Sequence, residues 1–307
     1  MTNLTSFTLR YTLLGNFPTK DLLDFLETAP RLRKIHLHSI TPTSGVQHGR
    51  LVSLACLKRM DILGGGPTYR LLDHLLIPIG AKLTSQIGVD LLPARGGDIF
   101  NGHLPGSLKN LGNLSNFTEI RFHIGGFHPR IRFSGPNGQV NMVPATPLDA
   151  TTTTWMYQSL LNLSDRLDTS KIERLRIADG ILLDNCCNCV FYGLLSRMKS
   201  LRTLTISRCT YLSASLCDLG NNLICPNLEE LILDPRVDKE RFNIRTVIRI
   251  AAMRASTGPK LKSVRIVSGD KSVQAHALEL WKYVGHVECS PRVAAECDES
   301  DSSDEED

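Results

Sequence analysis

The chain has 307 residues, 42% of them hydrophobic and 21% charged, which is enough apolar content to bury a sizeable core and too much for a chain disordered throughout. Its apolar runs, such as Leu22 to Leu26 and Leu71 to Ile77, are far shorter than the roughly 20 residues a membrane-spanning helix needs, so no membrane span is predicted. The net charge of +4 is unevenly placed: eight of the 31 acidic residues fall within residues 296–307, which hold no Lys or Arg, so the preceding residues carry +12.

The first residues, Met1 to Phe7, lack the charged and apolar segments of a secretory signal. The nine cysteines are odd in number and spread among apolar positions, as free thiols in a reducing compartment would be. The cytoplasm or the nucleus is the expected location.

From there on, apolar residues recur at relative positions 0, 3 and 5. The pattern runs through Leu4-Phe7-Leu9, Leu32-Ile35-Leu37, Leu57-Met60-Ile62, Phe117-Ile120-Phe122, Ile172-Leu175-Ile177, Leu201-Leu204-Ile206, Leu228-Leu231-Leu233 and Leu261-Val264-Ile266. A looser copy at Leu83-Ile87-Val89 and a last one at Val284-Val287-Cys289 extend it. Well-matched copies follow one another at steps of 28, 25, 29, 27 and 33 residues, at or just above the period of leucine-rich repeats. Each copy predicts a short strand with alternate residues turned inward, and a helix must supply the other wall before the next parallel strand can stack.

Helical spacing is found between the copies, in Asp21 to Glu27, Tyr69 to Leu76, Trp155 to Leu161, Val190 to Met198 and Ile244 to Met253, with Pro30 and Pro78 closing two of them. Position 8, where leucine-rich repeats place Asn or Cys, is Cys209 in one copy. It is Gly65, Gly125, Gly180 or Gly269 in four others, which predicts irregular turns. The period breaks between Phe117 and Ile172. There two alternating runs flank Gly135-Pro-Asn-Gly138 and predict a β-hairpin near residues 130–143, inserted into or projecting from the array. The fold class read from these residues is α/β: an irregular leucine-rich-repeat solenoid, a curved parallel sheet with outer helices, over residues 1–292. A disordered acidic tail over 293–307 completes it.

The order of the segments Leu22 to Leu37, Leu57 to Pro78, Cys225 to Leu233 and Arg254 to Ile266 resembles the leucine-rich-repeat regions of the F-box-like protein families of mushroom-forming fungi. The resemblance covers roughly residues 4–289. It implies the substrate-binding half of a ubiquitin-ligase component. Such proteins reach a ligase adaptor through an N-terminal F-box, whereas here the first strand begins at Leu4 with no F-box pattern before it. An adaptor is therefore an expected partner only if an F-box lies upstream, and a free-standing repeat scaffold or adaptor without a ubiquitin role is the alternative.

In such strands the residues between the apolar ones line the concave face. Here that face is rich in Arg and His, and Arg10, Lys34, His36, His38, Arg59, Arg121, His123, Arg174, Arg176 and Arg265 are the expected partner-binding residues. Arginine makes bidentate bonds to carboxylate and phosphate, so the expected partner is a protein with an acidic or phosphorylated segment. Strand faces without aromatic platforms disfavour nucleic acid. In the tail, Ser302 and Ser303 each precede a carboxylate by three places and are candidate phosphorylation sites. No catalytic residues are predicted: Gly64-Gly65-Gly66 and Gly96-Gly97 lack the context of a phosphate loop, and His123 and His128 flank a turn. No metal or cofactor is predicted either, because Cys186 and Cys189 have zinc-like spacing but no second close pair follows.

Overall fold

A computed structural model describes residues 3–10, 18–39, 49–63, 69–87, 111–112, 116–123, 130–136, 138–144, 167–178, 185–208, 216–221, 223–235, 243–268 and 270–290. Its strands are β1 (Ser6–Leu9), β2 (Lys34–His38), β3 (Val52–Ser53), β4 (Arg59–Leu63), β5 (Leu75–Leu76), β6 (Lys82–Ile87), β7 (Glu119–His123), β8 (Arg130–Gly135), β9 (Gly138–Pro144), β10 (Arg174–Ala178), β11 (Thr203–Ser207), β12 (Glu230–Asp234), β13 (Ser263–Val267) and β14 (His286–Ser290). The protein is α/β. Twelve of these strands form one mostly parallel sheet in the order β1-β2-β4-β6-β9-β8-β7-β10-β11-β12-β13-β14, and β3 pairs with β5 apart from it.

The period-2 alternation of the triplets is what aligns this sheet. Cross-strand register links Phe7, Ile35, Met60, Leu83, Val140, Phe133, Ile120, Leu175, Leu204, Leu231, Val264 and Val287 into one row. A second row, two residues on in the parallel strands, runs from Leu9 through Leu37, Ile62, Ser85, Met142, Ile131, Phe122, Ile177, Ile206, Leu233 and Ile266 to Cys289. Slipping any strand by one residue would turn its apolar side chains to the other face, so the rows fix the register. The looser copy departs from expectation here: Leu83, read as its first residue, takes the second place opposite Met60 where Ile87 was expected, and buried Ser85 takes the third opposite Ile62.

The first residue of each triplet anchors the approach to its strand. Leu32, Leu57, Ile172, Leu201 and Leu228 are buried, and each donates its N–H to the carbonyl three residues back, at Ala29, Leu54, Thr169, Met198 and Cys225. The next N–H then reaches the preceding strand's approach, as in Arg33 to Thr5 O, Lys58 to Arg33 O, Arg202 to Glu173 O, Glu229 to Arg202 O and Lys262 to Glu229 O. These bonds satisfy backbone groups that would otherwise be buried unpaired.

Of the two placements expected for the hairpin of β8 and β9, the first is found: it is inserted into the sheet, between β6 and β7. β7, β8 and β9 form an antiparallel meander, with β9 parallel to β6 and β7 parallel to β10, so sheet order runs against chain order there. The units are also less uniform than helix followed by strand. Helices at Thr19–Glu27, Asn185–Arg197, Ile244–Thr257 and Lys271–Leu280 separate sheet neighbours, but the segment read as a helix from Tyr69 to Leu76 is helical only over Tyr69–Leu72. Its Leu75 and Leu76 instead pair with Val52 and Ser53 as β5 against β3. Short apolar runs have no period that separates strand from helix, and here tertiary pairing decides. The expected helix at Trp155 to Leu161, the glycines at position 8 and the acidic tail lie outside the described residues.

The meander depends on Gly135, which ends β8. A Cβ built there would press into the backbone carbonyl of Asn116, with the Cα of Phe117 next to it. Backbone cannot yield as a flexible side chain would, so Gly135→Ala is expected to cost about 1–3 kcal/mol in denaturant titration. An unchanged midpoint would show that the approach of Asn116 is not fixed.

Candidate functional site

The face opposite the apolar rows carries the charges. Its middle row reads Thr8, His36, Asp61, Thr84, Asn141, Arg132, Arg121, Arg176, Thr205, Ile232, Arg265 and Glu288. Three arginines, Arg132, Arg121 and Arg176, thus stand side by side on β8, β7 and β10, whose backbones lie about 4.8 Å apart. Arg130 and His123 pair above them, and Arg174 pairs with Glu119 below. On this face the three strands hold five arginines against one carboxylate, Glu119.

Glu119 is bound into the cluster. Its Oε1 accepts from Arg121 Nε at 2.7 Å and its Oε2 from Ser134 Oγ at 3.2 Å. Burial alone would raise its pKa, but the hydrogen bond and charge of Arg121, the Ser134 hydroxyl and the charge of Arg174 together hold the carboxyl below its ordinary value. It stays ionised and neutralises one arginine. Arg132 Nη2 donates to Gln139 Oε1 at 2.6 Å, which fixes its guanidinium over β9. A guanidinium is the group that makes bidentate bonds to a carboxylate or a phosphate.

A second group lies on β2 and β4. Asp61, 4% exposed, accepts at Oδ2 from His36 Nδ1 at 2.9 Å and from Arg59 Nε at 2.8 Å, while its Oδ1 is buried without a hydrogen-bond partner. An ionised carboxylate only accepts, so Nδ1 carries the proton and Nε2 of His36 is left for an outside partner. Asp61 therefore orients His36 and Arg59; it is not a free surface charge.

The expected binding residues do not form one patch. Arg121, His123, Arg174 and Arg176 come together; His36 and Arg59 meet at Asp61, with Lys34 and His38 on the same strand as His36. Arg10 follows β1 at the sheet's edge, and Arg265 is drawn away to Glu288, its Nε 2.8 Å from Oε2. Ser302 and Ser303 lie outside the described residues. Arg130 and Arg132 were not among the expected binding residues, because the sequence left open whether their hairpin lies in the array or projects from it. Their alternation with Ile131 and Phe133 is the signal that places them on the same face as Arg121.

Another polar cluster is internal. Arg254, fully buried on the Ile244–Thr257 helix, donates Nη1 to Leu219 O at 3.0 Å and Ile224 O at 3.3 Å, and Nη2 to Cys225 O at 2.9 Å. Cys225 adopts φ 46° and its Sγ donates to Leu195 O at 3.3 Å. Burial pushes its thiol up to about 12, despite the nearby charges of Arg254 and Lys199. A thiol so held is a poor nucleophile. At about pH 8 a maleimide should label exposed Cys56 in the native protein and leave Cys225 unmodified until denaturant is added, as read by peptide mass spectrometry. Rapid native labelling of Cys225 would contradict this packing.

Cys186 and Cys189 fall in the Asn185–Arg197 helix, where their side chains are outside what the structure describes. Among the described residues no three His, Cys, Asp or Glu gather as a metal-ligand set, and no helix is long and apolar enough to cross a membrane. Compared with protein-family models and with curated proteins, the chain matches none.

Proposed function

We propose that the chain is an irregular leucine-rich-repeat module that recognises another protein, and that the face over β8, β7 and β10 binds an acidic or phosphorylated segment of that partner. The observation that carries this reading is the row Arg132, Arg121, Arg176. Like charges placed directly opposite one another across strands are destabilising, and an anion seated over them removes that cost. The repeat reading is supported by the in-register apolar rows and by the same turn in front of five of the strands. Recognition is proposed rather than catalysis, because this face carries five arginines and its serine–carboxylate pair, Ser134 Oγ with Glu119 Oε2, has the carboxyl already engaged by Arg121. If the resemblance to F-box-like repeat regions holds, the bound segment belongs to a ubiquitin-ligase substrate.

The test is a fluorescence titration of the purified chain with a doubly phosphorylated, Glu-rich peptide at several salt concentrations. Saturable binding that weakens with salt and vanishes in Arg121→Glu/Arg174→Glu/Arg176→Glu is expected. Binding retained by that triple variant would sink the assignment.

A further inference from the structure

We propose that residues 296–307 of this same chain occupy the arginine cluster in cis and compete there with the acidic partner. The inference rests on the recognition reading above and adds a regulator to it. Residues 296–307 contain eight carboxylates and no Lys or Arg, the complement of a patch with five arginines and one glutamate.

Reach and local charge both favour the cluster as the docking place. β14 ends at Ser290, which is in register with Val267 at the C-terminal end of the parallel strands. From β14 the sheet runs through β13, β12 and β11 to β10, four steps or about 19 Å, and β8 lies two steps further, at about 29 Å. An extended chain covers about 3.4 Å per residue, so Glu296 can stand about 20 Å from Ser290 and Asp307 about 60 Å. The acidic stretch therefore spans the whole cluster. The face between is poorer in positive charge: β12, β13 and β14 present Glu230, Asp234 and Glu288 against His286 and Arg265, whose guanidinium is already bonded to Glu288, and β11 presents Thr203 and Thr205. Repelled there, the acidic stretch meets its first surplus of positive charge at Arg174 and Arg176 on β10.

Tethering makes weak contacts count. A short linker holds a segment near its site at an effective concentration on the order of millimolar, which a partner in solution must outcompete. Phosphorylation of Ser302 or Ser303 would add close to two negative charges each and strengthen the occupancy.

The probe is a fluorescein-labelled peptide with the sequence of residues 296–307, added to the full chain and to a full-length variant in which all eight carboxylates of that segment are changed to amides. The amide variant should bind the peptide at least about tenfold more tightly than the unaltered chain. Adding Arg121→Glu/Arg176→Glu to the amide variant should remove that binding. Equal, measurable affinity in the two chains would overturn occupancy in cis while leaving the anion-binding face intact. No binding by either chain would overturn both.

Discussion

Replacing Arg254 with methionine is expected to lower folding stability by about 2–4 kcal/mol, read as a fall in the urea midpoint. Methionine keeps most of the side-chain volume but none of the donors, so Leu219, Ile224 and Cys225 would be left with buried carbonyls that lose their bonds to the guanidinium. A buried acceptor left unsatisfied costs about 1–3 kcal/mol. Three would cost more than the total expected were there no offset, but Arg254 is itself a desolvated cation. Burial pulls its pKa below the ordinary value, its hydrogen bonds go to carbonyls, and its Nε is buried with no acceptor. Removing the cation relieves that penalty, as it does when buried ion pairs are replaced by apolar groups. Lysine should do little better than methionine, since its single ammonium cannot span carbonyls from both sides of residue 221 and sheds its proton readily when buried. A methionine variant as stable as the original chain would mean that desolvation outweighs the three bonds.

The strands were legible because their signal is local. In Leu201 to Ile206 or Leu228 to Leu233 the alternation alone says which side chains face inward, and the observed register follows it. Pairing across the meander was not legible, since nothing in Arg130 to Gly135 says that β9 will lie beside β6, far back in the chain. Without that pairing Arg130 and Arg132 could not be placed, so one of the row's three arginines was missed while Arg121 and Arg176 were found. Arg254 was unreadable for another reason. An arginine on an amphipathic helix is ordinarily solvated, and only the loop carbonyls folded over it turn it into a structural plug. Asp61 differs from its neighbours in the same way: its place between apolar strand residues would put it on the open face, and it is a buried anchor for His36 and Arg59.

Reversing Arg121 and Arg176 to glutamate should weaken capture of the phosphorylated peptide at least about a hundredfold, since each arginine lost removes a charge-assisted contact of about 1.5–3 kcal/mol. A binding site and a structural ion network differ in what else happens. If these arginines held the sheet together, the same double variant would unfold more easily. In the observed arrangement Arg121 stands between Arg132 and Arg176, so the reversal sets a glutamate opposite Arg132, which relieves one like-charge pair, while the two new glutamates face each other and replace another. The lost pair between Arg121 and Glu119 is half-exposed and screened on the arginine side, with its side chain 42% exposed, and contributes little to set against that relief. With one repulsion removed and another put in its place, stability should change by no more than about 1 kcal/mol, while binding is lost. Arg254 supplies the contrast within the same fold, an arginine kept for stability where this row is kept at some cost to it. A double variant that lost binding and stability together would assign the row to the architecture and leave the partner site to be found elsewhere.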